Sequence, residues 1–105
     1  MAQVIWTEPA LLDLSEIAEY IALDKPDAAG RLVNHVFSSV GRLEQFPESG
    51  RMPPELERSK YREIIVAPCR ILYRVDQDKV YIVYVMRGEQ QLRKYLLDDR
   101  AQDSS

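Results

Sequence analysis

Residues 61–87, "YREIIVAPCRILYRVDQDKVYIVYVMR", decide the fold of this chain. Three segments within this stretch, 61–67, 70–75 and 79–87, are rich in β-branched and aromatic residues, as strands are. Only "PC" and "DQD" separate them, and connections this short are typical of hairpins. The stretch therefore predicts an antiparallel meander of three strands.

The N-terminal segment predicts one further strand and a helix. Residues 3–6, "QVIW", are good strand formers, and Thr7 is a plausible N-cap for the helix that follows. Pro9 falls in the first turn, where its missing N–H costs nothing. The acidic residues of this helix lie off its apolar stripe, which consists of Leu11, Leu14, Ile17, Ala18 and Ile21.

A second helix is predicted from Pro26 until Pro47 stops it. Only "LDKPD" interrupts the two helical patterns, so we expect the helices to fold back on each other as an αα-hairpin. Phe37 widens the apolar stripe of the second helix, which is formed by Ala29, Leu32, Val33, Val36, Val40 and Leu43.

The remaining segments complete an α+β order. Residues 47–60, "PESGRMPPELERSK", indicate an ordered loop, and residues 89–99, "EQQLRKYLLDD", a short terminal helix. The polar end "DDRAQDSS" is expected to fray, and residues from about 100 to 105 form a tail. The predicted order is β-α-α-β-β-β-α in a single domain, 1–105, with the αα-hairpin packed on a twisted, mainly antiparallel sheet.

Composition excludes several classes of protein. The 105 residues are 46% hydrophobic and 30% charged, which is ordinary for a soluble domain, and no apolar run could span a bilayer. The N-terminus has no signal-peptide pattern, and a lone Cys69 cannot form an internal disulfide, so a reducing cytoplasm is expected. A net charge of −3 argues against a dedicated nucleic-acid binder, although a local basic face is still possible.

Arginines dominate the candidate binding residues. Strand alternation sets Arg70 and Arg74 on the face opposite the apolar residues that face the helices, and Arg62 of the neighbouring strand is expected to join them. Arg87 projects from the end of the last strand. Two interpretations stand: a basic face that contacts phosphates or acidic side chains, or arginines that form cross-strand pairs with Glu63 or Asp76.

Groups for acid–base chemistry are few. His35, the one histidine, lies within the second helix and is interpreted as structural or solvent-facing. The strand tyrosines suit core packing, and an unperturbed phenol with a pKa near 10 is a poor base. The chain has no glycine-rich phosphate loop and no acidic pair at metal spacing, so neither a metal nor a cofactor is expected.

The segments "IWTEPALLDLSEIAEYIALDKPDAAGRLV", "RLEQFPESGRMPPEL" and "YREIIVAPCRILYRV" resemble the ParE branch of the RelE/ParE toxin superfamily, over residues 4 to 97. The resemblance implies a bacterial toxin–antitoxin (plasmid stabilisation) module. In such modules the C-terminal segment of an antitoxin folds against the toxin and holds it inactive, as a hetero-oligomer. RelE-like members cut mRNA on the ribosome, whereas ParE-like members poison DNA gyrase without chemistry of their own.

The leading hypothesis is therefore a gyrase inhibitor that acts by binding, without sequence-specific contact to nucleic acid. Met86 and Arg87 occupy the strand end where some nucleases of the superfamily place a histidine. The candidate target contacts are Arg62, Arg70, Arg74, Arg87, Arg93 and Tyr95, and the candidate antitoxin contacts, each of which could instead belong to the core, are Leu12, Tyr20 and Phe37.

Two alternatives remain open from the sequence. One is a RelE-type ribosome-dependent endoribonuclease in which Arg70 and Arg87 stabilise the phosphate and a tyrosine serves as acid. The other is a degenerate module that still folds and binds an antitoxin but is no longer toxic.

Overall fold

Four strands form one sheet in the computed structural model, which describes residues 1–56, 58–88, 90, 92 and 94–103. The strands are β1 (Gln3–Trp6), β2 (Tyr61–Val66), β3 (Cys69–Asp76) and β4 (Lys79–Arg87), in the spatial order β1-β4-β3-β2. β2, β3 and β4 pair antiparallel, which confirms the predicted meander, and β1 adds to β4 in parallel. The α+β class is confirmed.

Two helices, α1 (Glu8–Ala22) and α2 (Pro26–Gly41), cover one face of the sheet, and α2 continues into a short 3₁₀ turn at Arg42–Glu44. Thr7 caps α1 as predicted, because its hydroxyl oxygen accepts from the Ala10 N–H at 3.4 Å. The same hydroxyl donates to the Ile82 carbonyl at 2.7 Å, so the cap also ties α1 to β4. None of the helices in the described ranges is long and apolar enough to cross a membrane.

The third helix differs from the prediction. α3 spans Lys94–Asp103, so it begins later and ends later than the predicted segment 89–99. The expectation that the polar end frays is wrong for Arg100, which lies within α3 and forms an ion pair with Asp13 of α1. Asp13, the partner of Arg100, lies 87 positions away in the sequence, so local composition does not reveal this contact.

The main core lies between the helices and the sheet. Its α1 contribution differs from the predicted stripe at Leu11, which keeps 42% of its surface exposed while Ala10 is fully buried. Leu14, Ile17 and Ile21 belong to or pack against this core as predicted. The α2 stripe is largely as predicted. The buried members of this core are Ala10, Leu14, Leu32, Val36, Val40, Leu43, Val66, Cys69, Ile71, Tyr73, Val80, Ile82 and Val85.

A second apolar cluster covers the opposite face of the sheet. The segment before β2 supplies Leu56, and the C-terminal part supplies Leu92 and Leu97, which pack on strand residues. A register shift at Leu72/Tyr73 interrupts the pairing of β3 with β4 beneath this cluster. The prediction of an open basic face is therefore wrong, because the segment before β2 and α3 cover that face. The cluster comprises Leu56, Tyr61, Leu72, Val83, Met86, Leu92 and Leu97.

Gly50 is the one glycine at which a close approach excludes a side chain. Its N–H donates to the Tyr73 hydroxyl at 2.9 Å, and an added Cβ would lie 2.6 Å from that oxygen and 2.7 Å from the Glu63 carbonyl. Gly50→Ala is therefore expected to lower the free energy of unfolding by about 1–3 kcal/mol, as overpacking does. Urea denaturation measures this loss.

The matched control is Gly30→Ala in α2, where an added Cβ meets nothing within 4 Å. Alanine inside a helix is expected to raise the free energy of unfolding by about 0.5–1 kcal/mol. Equal stability changes in the two variants would contradict the packing assigned to Gly50.

Candidate functional site

Two recesses along α1 share Asp13, Glu16 and Arg100, and we call them together the groove. The ion pair between Asp13 and Arg100 lies where they meet. Arg100 of α3 binds both carboxylate oxygens of Asp13, with 2.9 Å between Nη2 and Oδ1. Its Nη1 donates to the Val83 carbonyl at 3.1 Å, and its guanidinium lies 3.7 Å from the Tyr84 ring centroid. Asp13 Oδ2 also accepts from the Val85 N–H at 3.0 Å. The pair joins α1, β4 and α3.

Electrostatics at this bridge favour the charged pair. Burial on its own would lower the pKa of Arg100, but the hydrogen bonds and charge of Asp13 outweigh it, so that the net shift is upward. Arg100 therefore keeps its charge, and its ion pair with Asp13 fastens α3 across the groove.

The groove has an apolar end and a strand-end part, one on each side of the bridge. At the apolar end, Leu12 lies with Pro9 and Tyr81. At the other end, which we call the strand-end surface (Glu16, Tyr20, Tyr84, Arg87 and Gln90), the Arg87 guanidinium lies 5.2 Å from the Tyr20 ring centroid. Leu12 and Tyr20 are 56% and 62% exposed.

Arg87 is held in place by its surroundings. Its backbone N–H donates to Gln90 Oε1 at 2.8 Å, and its side chain, half-buried, lies over Tyr20. The predicted position of Arg87 at the end of the last strand is confirmed, and its contact with a target stays a prediction. A cation stacked on an exposed aromatic ring suits contact with a partner, because both groups bury area at low cost in conformational entropy.

Arg70, a predicted target contact, lies in a buried charge cluster. Its Nη atoms bind both carboxylate oxygens of Glu55 at 2.7 and 2.8 Å, and its Nε donates to Glu63 Oε2 at 2.8 Å. Arg51 Nε binds the other Glu63 oxygen at 2.7 Å, and the Glu63 side chain is fully buried. The prediction of an exposed Arg70 is wrong, and the interpretation as a cross-strand pair with Glu63 is confirmed.

Arg74 and Arg62 lie on opposite faces of the sheet. Only 11% of the Arg74 side chain is exposed; its guanidinium lies 4.2 Å from the Tyr81 ring centroid and 3.9 Å from Asp76. Arg62 pairs with Tyr73 in the register, so it lies on the helix side, where it donates to the Gly50 carbonyl at 2.9 Å. The prediction that Arg62 joins Arg70 and Arg74 is wrong, because directly paired residues share a face.

The remaining predicted contacts are Phe37, which lies outside the groove, and Arg93 and Tyr95. Phe37, 43% exposed, packs on Trp6 with 4.9 Å between ring centroids, away from the groove that Leu12 and Tyr20 line. Arg93 and the side chain of Tyr95 lie outside the described residues. The three candidate antitoxin contacts are thus all exposed, but only Leu12 and Tyr20 border the same groove.

Sequence reasoning missed Asp13, Arg100 and Glu55. Asp13 is one of several acidic residues on α1, and nothing in its spacing separates it from a solvated face. Glu55 lies in a proline-rich segment that reads as surface. The sequence contains only an indirect signal for Glu55. Once another segment covers the face of the strand on which Arg70 lies, the buried guanidinium requires a carboxylate partner.

The one histidine and the two fully buried strand tyrosines lie outside the groove. His35 is exposed on α2, and Tyr61 and Tyr73 are almost completely buried, which raises the pKa of both phenols. In the described part of the chain, no three His, Cys, Asp or Glu side chains are grouped to hold a metal ion. The groove offers charge and aromatic area for binding.

The Glu55–Arg70 pair predicts an acid-sensitive contribution to stability. Hydrogen bonds from Arg70 lower the pKa of Glu55 from 4.5 to about 2. A carboxyl whose pKa is depressed in the folded state stabilises the fold above its unfolded pKa and loses that contribution as the pH falls. The free energy of unfolding is therefore expected to fall between pH 4.5 and about 2.

Urea denaturation at about pH 5 and about pH 3 measures this loss in the wild type and in Glu55→Gln. The variant is expected to lose less stability over this interval, although the effect is modest because a third of the Glu55 side chain is exposed. Identical losses in both proteins would contradict the assignment.

Comparison with known proteins gives one family and several relatives. The family described as "ParE toxin of type II toxin-antitoxin system, parDE" matches residues 4–92. A protein of Sinorhizobium fredii named "Putative toxin Y4kP" is 41% identical over 91 residues, which cover 85% of this chain and 91% of the relative. "Toxin RelE2" of Caulobacter vibrioides is 37% identical over 86 residues, 81% of this chain and 93% of the relative.

Solved structures share the fold. A chain of the chromosomal ParDE system from P. aeruginosa superimposes with a TM-score of 0.71 at 24% identity, covering 83% of this chain and 96% of that one. A chain of the RelBE2 toxin–antitoxin complex from Mycobacterium tuberculosis gives a TM-score of 0.55 at 24% identity, covering 82% and 96%.

Proposed function

The chain belongs to the ParE toxin family of type II toxin–antitoxin systems, and from this premise we propose that it binds and inhibits DNA gyrase. A cognate antitoxin neutralises it in the bacterial cytoplasm, where the target resides. The observation that carries this proposal is the strand-end surface, in which Arg87 lies over the exposed ring of Tyr20 while the tyrosines Tyr61 and Tyr73 are buried.

Arg87 is the target contact that the geometry supports best. Arginine and tyrosine are enriched among the residues that dominate binding energy at protein interfaces. Arg70 and Arg74 are largely buried, so we assign them to supporting the fold of the target-binding region and not to contact with the target. Arg62 holds the Glu48–Gly50 loop through two carbonyl contacts and has the same supporting role.

Neutralisation follows from the proximity of the two candidate surfaces. Leu12 and Tyr20 border one groove, and Tyr20 is also the residue on which Arg87 lies. An antitoxin helix that buries its apolar face on Leu12 and Tyr20 therefore covers Arg87 as well. Phe37 offers a separate contact for an antitoxin that wraps around α2, as disordered partners do.

A ribosome-dependent mRNA endoribonuclease is the second candidate, favoured by the identity to a toxin named RelE2. In this function Arg87 would contact the phosphate, and the acid would have to be a tyrosine other than the buried Tyr61 and Tyr73. Purified protein incubated with translating ribosomes and mRNA would then produce cleavage in the A site. Intact mRNA would eliminate this candidate.

Induced expression in a bacterial host without the antitoxin separates these functions. Gyrase poisoning is expected to stop growth and induce the DNA-damage response while translation continues at first. A ribosome-dependent nuclease would instead stop translation immediately. Co-expression of the antitoxin should restore growth in either case, and growth unaffected by expression would indicate a module that is no longer toxic.

A further inference from the structure

The pairing of β4 with β3 contains a β-bulge at Val83. Tyr84 pairs with Leu72 of β3. The next β3 residue, Tyr73, pairs with Ile82, so Val83 is an additional residue on β4. Such a bulge interrupts the regular alternation of side chains along a strand and re-aims the side chains that follow it.

The bulge decides the face of the sheet on which Arg87 lies. Strict alternation from Ile82 would place Met86 on the helix side of the sheet and Arg87 on the opposite side. In the structure, Val85 belongs with Ile82 to the core beneath the helices, whereas Met86 belongs to the cluster on the opposite face. Arg87, two residues after Val85, therefore lies on the helix side, where its guanidinium meets the ring of Tyr20.

The outer edge of β4 loses its neighbouring strand at the same position. β1 pairs with β4 only as far as Trp6 and Ile82, and within the described residues no strand continues along this edge. The last backbone bond is donated by the Thr7 N–H to the Ile82 carbonyl at 3.1 Å. Because backbone N–H and C=O groups require partners, the part of β4 that carries Arg87 depends on side chains at this edge.

Asp13 and Arg100 supply these hydrogen bonds. Arg100 Nη1 donates to the carbonyl of Val83, the bulge residue itself, at 3.1 Å. Asp13 Oδ2 accepts from the Val85 N–H at 3.0 Å, and the same carboxylate binds the Arg100 guanidinium. One ion pair thus holds the backbone at the bulge and again two residues beyond it.

We propose that Asp13 and Arg100 are positioning residues for target binding. Their ion pair holds the bulge at Val83, and the bulge in turn directs Arg87 to the strand-end surface. This inference rests on the proposed function, in which Arg87 contacts the target. The Asp13 and Arg100 side chains are only 16% and 22% exposed, so their effect on the target passes through the strand that they hold.

Loss of the ion pair frees the end of β4 to shift towards regular alternation. A shift of one residue exchanges the faces of all side chains that follow. Met86 would then occupy the helix side in place of Arg87. The two bonds to β4 therefore set the fraction of molecules in which the strand-end surface presents its arginine.

A double-mutant cycle between Asp13 and Arg87 tests this positioning. The affinity of purified gyrase is measured for the wild type, Asp13→Ala, Arg87→Ala and the double variant. Asp13→Ala is expected to weaken binding about tenfold in the wild-type background, but less than about twofold in the Arg87→Ala background. The two effects are non-additive because Asp13 acts through Arg87. A residue that only stabilised the fold, or that touched gyrase itself, would give equal losses in both backgrounds.

Two further variants separate the hydrogen bond from the charge. Asp13→Asn keeps an oxygen that can accept from the Val85 N–H, and should bind gyrase within about threefold of the wild type. Glu19→Ala removes the same charge from an exposed position of α1 outside the groove, and should bind within about twofold. Equal losses in Asp13→Ala and Glu19→Ala would assign the effect to the charge of α1 and overturn the inference.

Nuclear magnetic resonance of the isolated toxin gives a readout that needs no target. Nuclear Overhauser contacts between Arg87 and the Tyr20 ring are expected in the wild type and in Glu19→Ala, and should disappear in Asp13→Ala. The Val85 amide should exchange at least about tenfold faster in Asp13→Ala, while the amides of β3 keep their protection and show that the variant is folded.

The outcomes separate this inference from the proposed function. A wild type that does not bind gyrase would overturn the proposed function and, with it, the role of the ion pair in target binding. A wild type that binds gyrase, with equal losses from Asp13→Ala in both backgrounds, would overturn the inference alone. Arg87 still in contact with Tyr20 in folded Asp13→Ala would also overturn the inference alone.

Discussion

Methionine in place of Arg70 is expected to lower the free energy of unfolding by about 3–5 kcal/mol. The substitution leaves the Glu63 carboxylate, whose side chain is fully buried, with Arg51 as its remaining ion-pair partner in the described residues. Methionine keeps most of the aliphatic volume of arginine, so the loss reports the charge and not a cavity.

The double variant Glu63→Leu/Arg70→Met provides the internal control. It removes both buried charges together. Glu55 and Arg51 lose their partners, but both side chains are partly exposed, so water can solvate their charges. Buried ion pairs can be exchanged for apolar residues at little cost, so the double variant is expected to recover most of the stability lost in Arg70→Met. Chemical denaturation of the two single variants and the double variant gives the coupling energy directly.

An Arg70→Met variant as stable as the wild type would contradict the charge cluster. The experiment also separates two roles for Arg70. If Arg70 supports the fold, then toxicity of the double variant should follow its recovered stability. If Arg70 contacts the target, then the double variant should fold and remain inactive.

Reversal of charge at Arg87 is expected to remove toxicity without unfolding the protein. Arg87 is half-buried over Tyr20 at the strand-end surface, and substitution of a residue that dominates an interface costs about 2 kcal/mol or more. Arg87→Glu should therefore bind its target at least about 30-fold more weakly. Colony counts after induction without antitoxin measure the effect in cells, and titration against purified target measures it directly.

Arg31→Glu is the matched control for Arg87→Glu. Arg31 is exposed on α2, outside the groove, and its substitution makes the same change in net charge. This control should kill as effectively as the wild type. Equal toxicity of Arg87→Glu and Arg31→Glu, with both proteins folded, would contradict the assignment of the strand-end surface.

Local sequence patterns were sufficient for most of the fold. The β4 segment 79–87 coincides with the observed Lys79–Arg87 because its residues are suited to strands throughout and a short turn precedes it. Thr7 and Pro9 located the start of α1 because capping depends on a few adjacent residues. Pattern and capping are local properties, so a single sequence contains them.

The candidate site depended on contacts that local patterns do not encode. Arg70 was expected on an open face because alternation gives the side of a strand but not what covers it. Leu56 and Leu97, which are distant from each other in sequence, cover that face of the sheet. Glu55, next to Leu56, binds Arg70 there. Arg87 lies at the end of β4 as predicted, because the end of a strand is a position in the sequence, whereas burial is a property of the whole fold.

A gyrase supercoiling assay tests the central proposal most directly. Purified gyrase, relaxed plasmid and ATP are incubated with the wild-type chain, with Arg87→Glu, or with the wild-type chain and its antitoxin. The account predicts that the wild type alone abolishes supercoiling or accumulates linear cleaved DNA, and that Arg87→Glu or added antitoxin restores supercoiled product. Supercoiling that is unchanged at a molar excess of folded wild-type protein would contradict gyrase as the target.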